Sequence, residues 1–98
     1  MWSKNKARMT AEEERYVEWV KQGRCIVCDA PGPSDAHEIE QGNWFTSLSL
    51  CKDCHQGSHN GIHGRKAIWS VLKLTELSAL NLQIQRFAKE YMGRLMKR

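Results

Sequence analysis

Four cysteines and four histidines carry the residue types and spacings in this chain that point to metal chemistry. Cys25-Ile26-Val27-Cys28 is answered, after twenty-two intervening residues, by Cys51-Lys52-Asp53-Cys54. Two Cys-x-x-Cys pairs supply the four thiolates of one tetrahedral zinc site, so Cys25, Cys28, Cys51 and Cys54 are expected to hold a structural Zn2+. His37 lies between the pairs, and His55, His59 and His63 follow the second pair within nine residues. The pattern predicts two metal centres, one that holds the fold and one that does chemistry. Neutral imidazole is a good ligand for a divalent cation, and its unperturbed pKa of about 6.5 also suits a general base. Phosphodiester hydrolysis can run on that pairing of one cation and one base.

Length decides how much the first centre matters. A chain of 98 residues makes one domain and buries too little apolar surface to be generously stable without a cross-link. Zinc on four thiolates supplies one, worth about 10–16 kcal/mol in apparent terms. Disulfides would be the competing use of the cysteines. The polar, basic start over residues 1–8 lacks the apolar run of a secretory signal, which favours a reducing, cytoplasmic setting. Nor does any stretch approach the roughly 20 apolar residues of a membrane span, so a soluble protein is expected.

The elements that must position these ligands are readable in outline. A flexible basic arm is expected over residues 1–9, with Lys4, Lys6 and Arg8 and no acidic residue. Residues 10–23 read as a helix, with Thr10 as N-cap, Glu13 completing a capping box, Gly23 as its end, and Tyr16, Val17, Trp19 and Val20 as its apolar side. Residues 24–64 form the metal-binding core: a knuckle at Cys25 to Cys28, a turn over 30–35, a strand over 36–40, and a second, antiparallel strand over 44–50. A helical turn is expected from about Cys54, giving way to a loop because Gly57, Gly61 and Gly64 are poor helix formers. Residues 65–98 read as helical, with one helix over 65–73 and a last one capped by Thr75. Leu77, Leu80, Ile84, Phe87, Tyr91 and Leu95 follow in that last helix at helical spacing and are expected to form its core-facing stripe. Trp44 and Trp69 are expected to pack rather than to stack on bases.

Charge points to an anionic partner. Lys and Arg outnumber Asp and Glu by 15 to 11, a net +4, and the excess gathers in the arm and the last helix. Nucleic acid is the natural candidate. Arg65 and Lys66, directly after the histidine-rich stretch, are the candidate phosphate contacts.

Cys25-x-x-Cys28, then Ala36-His37-Glu38-Ile39, then Leu50-Cys51-x-x-Cys54-His55, resembles a zinc-stabilised member of the HNH (ββα-metal) endonuclease superfamily. Leu50 to Gly57, Asn60-Gly61-Ile62-His63-Gly64, Trp69 and Thr75-Glu76-Leu77 resemble the phage recombination enhancement function (Ref) nucleases, which depend on RecA and cut DNA. The likeness covers roughly residues 24–82. It implies an α+β fold with a small zinc-stabilised ββα-metal, treble-clef-like core. It also implies a catalytic divalent cation (Mg2+, Mn2+ or Zn2+), DNA as substrate, a RecA filament as partner, and the cytosol of a bacterium or phage-infected host.

Within that likeness His55 matches a ligand of the catalytic cation. His59 is its i, i+4 partner on a continuous helix, whereas the Gly-Ile-His-Gly pattern and the helix-weakening glycines favour His63 as second ligand. Many relatives carry two adjacent polar groups before the isoleucine; here the pair is His37-Glu38. Either His37 is the base and the cation has fewer protein ligands, or His37 is a ligand and Glu38 the base; histidine's usual role favours the first. The expected activity is metal-dependent hydrolysis of DNA. The alternative is a non-catalytic zinc-stabilised nucleic-acid-binding or adaptor module, for which the four cysteines alone would suffice.

Overall fold

A computed structural model describes residues 9–96, with side chains through residue 93. The basic arm expected over residues 1–9 lies, apart from Met9, outside the described residues. Helix α1 spans Ala11–Gln22 and is nucleated as the sequence predicts. The Thr10 hydroxyl accepts from the Glu13 amide at 3.1 Å and the Glu13 carboxylate accepts from the Thr10 amide at 2.8 Å, so two orphan donors of the first turn are satisfied reciprocally. Its inner face buries Tyr16, Val17 and Val20.

Beyond α1 the chain makes the cysteine knuckle, in which the Cys25 amide donates to Ala30 and the Ile26 amide reaches Ser49. Strands β1 (Asp35–Glu38) and β2 (Ser47–Leu50) pair antiparallel, with Asp35 opposite Leu50 and His37 opposite Leu48. Both are shorter than the sequence predicts. Trp44–Thr46 is a 3-10 turn, not the first half of β2. Here the Thr46 hydroxyl donates to the Asn43 carbonyl and the Ser47 hydroxyl to the Trp44 carbonyl, local bonds that compete with a strand ladder. Helix α2 (Lys52–Gln56) starts two residues earlier than expected because Cys51 caps it, its sulfur accepting from the Cys54 amide. Helix α3 spans Ala67–Val71 and α4 spans Glu76–Met96. The result is a small α+β unit with four α-helices and a two-stranded sheet among the described residues.

The core gathers Cys25, Val27, Leu48, Leu50, Cys54, Trp69 and Ala79. Trp69 is a packing residue, as expected, and its indole N–H donates to the Cys54 carbonyl at 3.1 Å. The stripe expected for α4 turns inward only in part, at Leu80, which packs against the core, and at Phe87, which packs against α1. Leu77 and Tyr91 are 75% and 53% exposed, whereas Ala79 and Gln83 are completely buried. The reason lies in what α4 meets. It crosses the outer edge of β2, which no third strand among the described residues pairs, so the facing helix carries a small residue and an amide. The Gln83 side chain accepts from the Ser49 amide at 2.8 Å and donates to the Ser47 carbonyl, completing the edge as a strand would. Further along, Phe87 packs edge-on against Tyr16 and Trp19, and the Trp19 indole donates to Glu90 at 2.8 Å, tying α4 to α1. No helix of the described residues is long and apolar enough to cross a membrane.

Candidate metal centres

The four cysteines converge from the knuckle and from the β2–α2 junction. Their sulfurs lie within 4.8 Å of one another, and Cys28 and Cys51 are 3.6 Å apart. Four sulfurs at the Zn–S distance of about 2.3 Å stand about 3.8 Å apart, so the spacing suits a tetrahedral zinc ion and is far too long for a disulfide. All four thiols are free. Main-chain donors already point at them, from Cys28 to the Cys25 sulfur at 3.5 Å and from Cys54 to the Cys51 sulfur at 3.4 Å. Burial pushes the Cys25 thiol up, but the amides of Cys28, Cys51 and Val27 outweigh it and the net shift is downward. Burial and the neighbouring Cys25 charge drive Cys54 the other way, well above the ordinary thiol range. Crowded sulfurs that resist ionising together are the donor set a dication neutralises, and the residues fit zinc.

The second centre is built on the back of the first. His55 follows the buried ligand Cys54 directly on α2, its amide bonded to the Cys51 carbonyl at 2.9 Å. The chain then winds tightly. Ile62 donates to Cys54, His63 to His55, and Gly61 to Gly57. A Cβ on Gly61 or Gly64 would lie 2.5 Å from the Gly57 carbonyl oxygen, so only glycine permits this loop. His63 is thereby folded back beside His55, and β1 supplies His37 from across the gap. The three imidazoles form a triangle with ring centroids 5.1 Å apart on every side. One ring nitrogen from each lies within 4.8 Å of the other two, close to the roughly 3–4 Å between ligands of one cation. His37 is 9% exposed and His63 is open to solvent, so the triangle has a buried corner and an accessible one.

Two carboxylates that the sequence reading left out reach this triangle. Asp35, assigned there to a turn, stands on the same face of β1 as His37 and bonds the His55 Nδ1 at 2.9 Å. Its carboxyl is held below the usual carboxylate range, first by that bond and then by Lys52, whose Nζ is 3.0 Å away. With Nδ1 engaged, His55 has Nε2 left for a cation, the arrangement by which a carboxylate fixes a metal-binding imidazole. Glu76, in the first turn of α4, lies 2.6 Å from the His37 Nε2. A polar residue two places before His37 on a strand was a signal available for Asp35; nothing local could have indicated Glu76.

Other candidates stand apart. Glu38 follows His37 on β1, so its side chain leaves the opposite face, where its carboxylate accepts from the Gly42 amide at 2.8 Å. His59 is exposed on the glycine loop and is not part of the triangle. Arg65 and Lys66 are exposed just beyond that loop, Lys66 with a left-handed backbone at φ 58° that positions the start of α3. Comparison of the chain with protein-family models, with curated proteins and with solved structures gave no match in any of the three.

Proposed function

We propose that this chain is a metal-dependent endonuclease that hydrolyses DNA phosphodiester bonds, with β1, β2 and α2 as an HNH-type ββα-metal core. The observation that carries this reading is the triangle of His37, His55 and His63 built directly onto the four-cysteine cluster. A purely structural zinc domain has no use for a second set of ligands. In this reading His55 and His63 hold the catalytic cation and Asp35 keeps the His55 ring in place. When bound, a divalent cation stabilises negative charge on the phosphoryl and leaving oxygens. His37 accepts the proton of the attacking water. Glu38 is unsuited to that task, because its carboxylate is turned away from the triangle and bound to Gly42. Arg65 and Lys66, exposed two and three residues after His63, are in this reading the contacts to the DNA backbone. A net charge of +4 favours the same anionic substrate.

Resemblance to the Ref nucleases extends the proposal to a phage-type enzyme acting with RecA. The test is cleavage of single-stranded, duplex and D-loop DNA by the purified zinc protein with Mg2+, Mn2+ or Zn2+, with and without RecA filaments. Cleavage that His37→Ala abolishes is the expected result. Folded protein that cuts none of these substrates would refute the enzyme and leave a zinc-stabilised nucleic-acid-binding or adaptor module.

A further inference from the structure

The structure assigns Glu76 as a positioning residue for His37, one that fixes the neutral imidazole with its proton on Nε2 and its lone pair on Nδ1. This rests on the reading of His37 as the base of the histidine site and deepens it by naming the atom that takes the proton. An ionised carboxylate can only accept hydrogen bonds, so the 2.6 Å contact between the Glu76 Oε2 and the His37 Nε2 requires the hydrogen on Nε2. The His37 side chain is buried, at 9% exposed, so its ring has little water to bond instead, while Glu76 reaches it from a partly exposed position at 35%. The position of Glu76 on its helix suits a carboxylate. It sits in the first turn of α4, where the helix dipole favours an anion and the Thr75 hydroxyl caps the Ser78 amide at 3.0 Å.

Asp35 does the reverse to His55. By engaging Nδ1 it places that ring's lone pair on Nε2. Two neighbouring imidazoles are thus set in opposite tautomers by two carboxylates, one from the same strand as His37 and one 39 residues downstream of it. Setting the His37 tautomer therefore requires α4 to be docked. The Gln83 side chain on the edge of β2 provides that anchor two turns into the helix.

The measurement is a two-bond proton–nitrogen correlation spectrum of histidine-labelled zinc protein, at a pH where imidazole is neutral. Wild type should show His37 with hydrogen on Nε2. Glu76→Gln, whose amide can donate to Nε2 as well as accept, should give a mixed or reversed tautomer, and Glu76→Ala a mixed one. Single-turnover DNA cleavage should fall a few-fold where the tautomer is mixed and by up to about 10²- to 10⁴-fold, the whole contribution of a general base, where it is reversed, while Mn2+ and DNA affinity and the melting temperature of Glu76→Gln stay near wild type. Glu76→Gln keeps the size and polarity of the side chain and decides the matter if Glu76→Ala does not fold. Hydrogen on Nδ1 in wild type, or a His37 tautomer unchanged in the folded variants, overturns the role of Glu76 even if the protein cuts DNA. A tautomer that depends on Glu76 in a protein that cuts nothing would leave that role standing and refute the nuclease instead.

Discussion

Replacing Gln83 with leucine should cost the domain about 2–4 kcal/mol, although no apolar contact is lost. Gln83 is fully buried, and its amide serves one main-chain donor and one main-chain acceptor of β2, Ser49 N–H and the Ser47 carbonyl. Leucine has a similar volume, so the cavity contribution is small. Each buried main-chain group left without a partner costs roughly 1–3 kcal/mol, and the two together give about 2–6 kcal/mol. Part of that is offset because the variant no longer desolvates an amide. The contact from Gln83 to the Tyr16 hydroxyl, at 3.5 Å, is at the limit of a hydrogen bond and adds little. Against a total stability of roughly 5–15 kcal/mol, the loss lowers the melting midpoint by about 10–30 °C in a domain of this size. The assay is guanidinium unfolding at saturating zinc, with tryptophan fluorescence as the probe. Gln83→Glu, which keeps the acceptor for Ser49 but turns a buried carboxylate oxygen toward the Ser47 carbonyl, should cost at least as much as leucine at neutral pH. A loss below about 0.5 kcal/mol for Gln83→Leu, the range of ordinary surface substitutions, would refute the account of α4 as the closing edge of the sheet.

The two candidate metal centres should separate by mutation. Cys54→Ser should unfold the domain or destabilise it by several kcal/mol, and a chelator should do the same to wild type, because zinc binding and folding are one equilibrium. His55→Ala should remain folded with its zinc and lose cleavage, as circular dichroism, zinc content and a nicking assay would show together. Asp35→Ala, which frees the His55 Nδ1, should weaken Mn2+ binding about 10- to 100-fold by calorimetry while the cysteine site keeps its zinc. Unaltered Mn2+ affinity would mean that Asp35 does not orient a ligand.

What the sequence determined by itself was local. The spacing of Cys25, Cys28, Cys51 and Cys54 specifies a four-sulfur site because each Cys-x-x-Cys pair closes through its own main-chain donors, as the bonds to the Cys25 and Cys51 sulfurs show. Thr10 and Glu13 start α1 by a contact three residues long. Gly57 and Gly61 bar a continuous helix beyond α2, and the loop they allow folds His63 back toward His55 while His59 faces solvent. Tertiary structure decided the rest. Hydrophobic periodicity found only part of the inward side of α4, Leu80 and Phe87, because the rest of that side covers a strand edge whose demand is for hydrogen bonds, met by Gln83, rather than for apolar area. The partners of His37 and His55 were equally hidden, since a carboxylate looks the same in a sequence whether it faces water or an imidazole. Asp35 acquires its role from the pleat of β1, and Glu76 from the docking of a helix that begins 39 residues after His37. Such contacts depend on where two elements come to rest against each other, and that is settled by burial across the whole domain, not by neighbours along the chain.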